Sequence, residues 1–365
     1  MGAKRGVQGR SLVVTMKLGI RGSSVRTYTQ SVGLLLCALV ALCGSSGARE
    51  PLGPLPLRNY QPVQQIFLNL PFERARVLER GRVRLFGESA QSNVVATDGG
   101  PIDAVLKFEQ NRSTFGAMVG VGWAVQCGAE IPFGSRFGGF LDPVIDSVEE
   151  LFGAFNPERK MFPNNSFGGF QVRRREQSLF HGPSQTWELM DVHARCQWQL
   201  WQREAGPVVA LRGGLKLPTG RSSAVWGSGT TDLAVGAAAD VPLLGHRLWG
   251  YGNLSVVQPL GRVTAAALSL DPMLQQAVGF EYLLPWSWSF YLQQELYTSP
   301  FHGLHSVVLE GTGIELAAGL GWQGAHWVVQ LAGVDNVSGV AQTADFTLFL
   351  RVFAELDGAP RRPVP

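Results

Sequence analysis

The chain has 365 residues, 16% of them charged and 45% hydrophobic, with 45 glycines and a formal net charge of +3. That composition is too apolar for intrinsic disorder and too glycine-rich for a helical bundle. The positive balance belongs to the N-terminus: six of the 31 basic residues precede position 49 and no acidic residue does. The remainder carries 25 basic against 28 acidic residues, which removes the case for a nucleic-acid partner.

The first element in chain order reads as an export signal. Lys4, Arg5, Arg10, Lys17, Arg21 and Arg26 make it basic, and an apolar run follows over Leu34–Leu42. Ser46-Gly47-Ala48 offers small residues for cleavage, and Met16-Lys17 is a second plausible start. The run is shorter than the roughly 18–20 residues of a spanning helix, so a cleaved signal over 1–48 is expected rather than an anchor. Bulky Leu42 before Cys43 argues against a lipid anchor there. Residues 49–80 are expected to be a periplasmic N-terminal segment, 81–356 an outer-membrane barrel, and 357–365 a C-terminal tail.

The barrel expectation rests on alternation with a period of two. Gly116–Phe133 alternates without a break: Ala117, Val119, Val121, Trp123, Val125, Cys127, Ala129, Ile131 and Phe133 on one face, small or polar residues on the other. The pattern returns from Met190, where Cys196 and Trp198 share a face against Asp191, His193 and Arg195. It continues through 209–217, 233–241, 278–284 and 346–352. A soluble sandwich would show Lys, Glu and Thr on its wet face; here that face is Gly, Ala and isolated charges. Cys127 and Cys196 are expected to be separate lipid-facing thiols rather than a disulfide.

Connection lengths give a strand count. Barrels of bacterial outer membranes have even strand numbers, short periplasmic turns and longer outer loops. Read backwards, 337–344, 261–271 and 218–229 are long, 301–306 is intermediate, and 323–325, 285–287, 244–246 and 203–206 are short. Phase is kept if 134–185 is one outer excursion and a tight turn lies near Arg112–Thr114. That predicts an all-β transmembrane antiparallel β-barrel of about twelve strands, with one long outer loop containing a helix. Trp198, Trp286, Trp288, Trp322 and Trp327 fall near the short turns, as an interfacial belt would.

Several motifs resemble the bacterial family called domain of unknown function 3187. They are Gly53-Pro54-Leu55-Pro56-Leu57-Arg58-Asn59, then Phe137-Gly138-Gly139-Phe140-Leu141-Asp142-Pro143-Val144-Ile145 with Leu151-Phe152-Gly153, and Leu215-Lys216-Leu217-Pro218-Thr219-Gly220 with Gly227-Ser228-Gly229. The chain departs from the family at Glu149-Glu150, where a His is expected before Phe152-Gly153. The resemblance implies an outer-membrane location and carries no catalytic residues.

The candidate functional residues are the charges predicted to face inward. Asp191, His193, Arg195, Arg212, Lys216, Glu281, Glu295, Glu315 and Arg351 are expected to line or bind within the pore, with Lys107, Glu109, Glu130, Asp232 and Asp240 on the same face. They either orient a solute or pair with one another, since unpaired buried charge is costly. Leu141, Val144, Val148 and Phe152 follow helical spacing in the long loop and are expected to form a lid on the barrel mouth or to pack on its rim. Six histidines without ligand spacing predict neither metal nor cofactor, and no Ser is placed beside His193, so no enzyme is expected. The expected partners are outer-membrane lipid, a small solute (an apolar one included) and the barrel-assembly machinery. The expected setting is a Gram-negative outer membrane.

Overall fold

A computed structural model describes residues 49–152, 157–204, 206–263, 268–338 and 341–357. The expected signal over 1–48 and the tail beyond Asp357 lie outside the described residues.

Twelve strands close into one antiparallel wall. They are β1 (Val83–Gly99), β2 (Ile102–Gly122), β3 (Val125–Phe137), β4 (Val192–Gln202), β5 (Val208–Leu217), β6 (Thr231–Leu243), β7 (Leu248–Leu260), β8 (Met273–Leu283), β9 (Trp288–Thr298), β10 (Thr312–Gln323), β11 (Trp327–Asn336) and β12 (Phe346–Leu356). Each pairs with its sequence neighbours, and β1 pairs with β12 to seal the ring. The predicted count and fold class therefore hold. Leu85, Phe115, Val235, Leu254, Leu292 and Leu331 are among the outward residues and are all exposed, while Phe86, Thr114, Ala234, Asn253, Tyr291 and Gln330 beside them face inward and are buried. An apolar outer band against a polar interior is what strands in lipid require, because closure leaves no unpaired edge.

The strand borders near the start differ from those read in the sequence. Gly116–Phe133 is two strands, not one, and the turn lies at Trp123-Ala124 rather than near Arg112–Thr114. Both turn residues have positive φ, 50° and 57°, the conformation of a two-residue hairpin turn usually signalled by Asn or Gly. Register partners across it, such as Val119 and Cys127, share parity, so alternation continues unbroken through the turn. The sequence carries neither a turn residue nor a phase change there.

One end of the barrel bears five short turns; the other bears the five long connections and the tight Gly100-Pro101 turn between β1 and β2. Trp123 and Trp286, 93% and 86% exposed, project from two short turns, and Trp322 stacks edge-on against Trp327 at a third. The predicted aromatic girdle is present at this end.

The excursion between β3 and β4 spans 138–191. Its helix α1 (Asp142–Phe152) is followed by a hairpin of Gly169–Arg174 and Gln177–His181, whose first strand pairs with Ile102–Lys107 of β2. A further strand, Gln185–Leu189, pairs with the upper end of β3. Residues 168–180, left uncounted in the sequence, thus add to the wall's rim without entering the ring.

The seam between β3 and β4 is the shortest in the ring, running from Val125↔Trp198 to Glu130↔His193. Cys127 and Cys196 are register partners within it and are joined by a disulfide. This corrects the expectation of separate thiols: both do face outward, but register across a long excursion cannot be read from alternation. The bridge closes a 69-residue separation, worth roughly 4 kcal/mol in the chain-entropy account. Replacing both cysteines by serine is expected to lower the midpoint of heat-induced band shift on electrophoresis; an unchanged midpoint would mean that the ladder alone sets stability.

Candidate functional site

Residues 49–80 occupy the lumen. The expectation of a periplasmic segment is corrected: nearly every residue from Pro51 to Ala75 is buried, and partners come from strands all around the ring. The segment enters at the short-turn end, where Arg49 donates to Trp288 O and Ser289 Oγ. It rises past Glu281, Gln293 and Glu130, and turns at Gln61–Phe67 beneath the long connections. It then descends past Asp232, Gln275, Arg212 and Asp240 to Gln199 and Gln126 at the short-turn end.

The sequence explains this path. Pro51, Pro54 and Pro56 deny the rising limb a regular ladder, since proline offers no N–H. The remaining donors must be satisfied individually. Leu52 and Gly53 donate to the two carboxylate oxygens of Glu281 at 2.9 Å each, and Leu55 donates to Gln293 at 2.6 Å. Gly53 has φ +93°, and a Cβ there would stand 2.6 Å from Arg74 Cγ, so glycine lets the two limbs lie side by side. At the turn, Gln61 Oε1 accepts from Val63 and Gln64. Leu55, Leu57, Val63, Phe67 and Leu68 pack there with Phe180, Phe301, Val308 and Leu309, closing the long-loop end with an apolar core.

Four of the nine predicted inward charges, Arg195, Arg212, Lys216 and Glu281, bond this segment directly. Arg195 holds Glu73 at 2.9 Å and also contacts Glu130; Arg212 donates to Pro71 O at 2.7 Å and lies 3.4 Å from Glu73. Lys216 joins Ile66 O at 2.8 Å, Asp191 at 2.8 Å and Asp232 at 3.2 Å. Glu281 also accepts from Tyr251 and Ser289, Arg351 pairs with Glu88 at 3.3 Å, and His193 Nδ1 lies 3.0 Å from Glu130. Glu295 is bonded by Tyr297, while the buried Glu315 beside it on β10 has no hydrogen-bond partner among the described residues. All nine are buried, but they face a filled lumen, not a water column. Glu130 is the hub: Arg58 of the segment and Arg195 of the wall both bind it.

Arg58, Glu73 and Arg74 were not singled out in the sequence. A usable signal existed: Leu55, Leu57, Val63, Ile66, Phe67 and Leu68 are too apolar for a segment in water, yet show no strand or helix period.

Lys107 and Glu109 are not on the lumen face. They share parity with the outward Phe115 and Val119, and the excursion covers them from outside. Lys107 pairs with Asp142 at 2.5 Å, and Glu109 accepts from Phe140 and Leu141. The loop helix therefore starts against the outer side of β1 and β2, which is the rim packing given above as the alternative to a lid. Leu141 is buried and Val144 is 54% exposed; the side chains of Val148 and Phe152 lie outside the described residues.

A polar latch fixes the excursion. Arg159 reaches Asp142 at 3.0 Å and Asp345 at 3.4 Å. Burial opposes the charge on Asp142, but Lys107, the Asn165 N–H and Asn93 outweigh it and hold its carboxyl below the usual range. Asp345 is pushed up to about 7, by burial first and by Glu149 and Glu158, against the pull of Arg159. A carboxyl raised in the folded state contributes stability that is complete below its ordinary pKa of about 3.9 and lost as pH rises through the raised value. The 138–168 segment should therefore be cut faster by protease above pH ~8 than below pH ~5, and Asp345→Asn should level the difference. Equal rates in the parent chain would remove Asp345 from the latch.

A family model described as "Protein of unknown function (DUF3187)" matches residues 31–352. The chain belongs to this DUF3187 family. No curated protein matches it. Among solved structures, an outer membrane channel from Pseudomonas putida F1 superposes with TM-score 0.55 at 10% identity, covering 77% of this chain and 98% of that one. The NanC porin gives 0.41 at 8% identity, covering 76% and 100%. The translocator domain of autotransporter NalP from Neisseria meningitidis gives 0.37 at 12% identity, covering 91% and 97%. The first of these places the DUF3187 barrel among outer-membrane barrel folds.

Proposed function

We propose that this DUF3187 protein is an outer-membrane channel for a small solute, not an enzyme, and that residues 49–80 are its gate. The short turns and both ends of the gate then lie on the periplasmic side, and the excursion and long connections outside. The observation that carries the reading is the chemistry between gate and wall. Through most of the lumen the contact is amide to amide and charge to charge: Gln126, Gln197, Gln199, Gln275 and Gln293 all bond segment backbone. Water can replace such bonds at little net cost, whereas a permanent structural core would be apolar. Eight strands give a filled interior and sixteen an open channel; twelve can hold a double-limbed segment and conduct without it. A wall of amides and charges favours a polar solute over an apolar one.

The test pins the gate. In a Cys127→Ser, Cys196→Ser background, Leu70→Cys with Gly214→Cys should form a bridge, because a Cβ added at Gly214 would stand 2.6 Å from Leu70 Cδ2 in the middle of the descending limb. Conductance in planar bilayers should vanish on oxidation and return on reduction. Conductance indifferent to the bridge would show that the segment does not gate.

A further inference from the structure

The wall is divided by charge. Strands β6 to β11 contain no Lys or Arg, and they bury five inward carboxylates: Asp232, Asp240, Glu281, Glu295 and Glu315. The arc from β12 through β1 to β5 buries six inward cations, Arg112, Arg136, Arg195, Arg212, Lys216 and Arg351, against Glu88, Glu130 and, one residue before β4, Asp191 among the described residues. One half of the lumen is basic and the other acidic.

The gate is built to match. Toward the acidic half it turns N–H groups and guanidinium: Leu68 N to Asp232, Ala75 N to Asp240, Arg74 to Asp240 at 3.2 Å. Toward the basic half it turns carbonyls and carboxylate, Ile66 O to Lys216, Pro71 O to Arg212 and Glu73 to Arg195 at 2.9 Å, together with one cation, Arg58, which binds that half's carboxylates Glu130 and Glu88. Glu73 and Arg74 are adjacent in sequence. Together they form an internal acid–base pair that spans the boundary, its carboxylate on one wall and its cation on the other.

We propose that the solute admitted when the gate withdraws is a small zwitterion, held across the lumen with its anionic group on the Arg195–Arg212 side and its cationic group on the Asp240–Glu281 side, in the place of Glu73-Arg74. This rests on the channel reading above and names its solute class. A single-sign ion meets one repelling wall; an uncharged solute leaves both walls unsatisfied once their water is displaced. A zwitterion satisfies both.

The experiment compares alanine with lactamide, an uncharged isomer, in swelling of liposomes containing the full-length chain, corrected for protein-free liposomes. Alanine should enter severalfold faster. Equal rates would overturn the solute class while leaving a channel. No swelling in either would overturn the channel and the inference with it. Glu295→Gln with Glu315→Gln weakens the acidic wall without breaking an ion pair seen in the structure, since neither is bound by a cation among the described residues. This variant should remain heat-modifiable and bring the two rates together; a ratio unchanged from the parent would overturn the role of the acidic wall.

Discussion

Glu130→Gln should release the N-terminal segment and leave the barrel standing. Glu130 holds Arg58 of the segment through both carboxylate oxygens, and Arg195 and His193 of the wall as well. The amide keeps the shape and removes the charge. Arg58, Arg112 and Arg195 would then converge with only Glu88 and Glu73 to offset them. Breaking a buried pair on one side typically costs about 3–5 kcal/mol. The wall is held by its own ladders, so that cost falls on docking of the segment, shifting it by about a hundredfold to a few thousandfold. Trypsin should cut at Arg58, which is 1% exposed in the docked state, and open time in planar bilayers should rise. Protection and conductance matching the parent would place the energy of docking elsewhere, in the apolar turn at 61–68.

A second large effect is expected on the outer surface. Val235→Arg places a cation near the middle of β6, on a residue 69% exposed and opposite Val256. In lipid such a substitution costs about 2–4 kcal/mol at the midplane and about 0–1 near the interfaces. Leu244→Arg makes the same chemical change at a short turn and should cost little. Folding yield into liposomes compares the two directly. Equal yields would mean that the outer face does not meet hydrocarbon, and the membrane setting would fail.

What could be read from the sequence follows from how far each signal reaches. Strand alternation is local, so the outward set from Ala117 to Phe133 and the inward set from Asp191 to Arg351 were legible, apart from Lys107 and Glu109. Those two have the parity of lipid-facing residues, and only the folding of the excursion over them makes their charge tolerable. The turn at Trp123-Ala124 was hidden because a bulge between Gly120 and Gly122 offsets the parity change of a two-residue turn, so alternation runs through it. The site itself was half legible. Arg195, Arg212, Lys216 and Glu281 were found as inward charges, but their partners Glu73, Pro71, Ile66 and Gly53 lie 122 to 228 positions away, in a segment without periodicity. Pairing at such distance leaves no local mark.

That distance also orders assembly. The segment precedes every strand in the chain, yet its partners include Gln293 on β9, Gln330 on β11 and Gln342 just before β12, separated from it by as many as 283 residues. These acceptors and donors converge on one axis only when β12 has met β1. The earliest part of the described chain is therefore the last to find its place, and the ring must close before its own stopper can seat. Contacts of such span are slow to form, so a newly inserted barrel passes through an interval with its lumen unobstructed. A periplasmic factor that retained residues 49–80 during that interval would decide whether the finished protein is delivered shut.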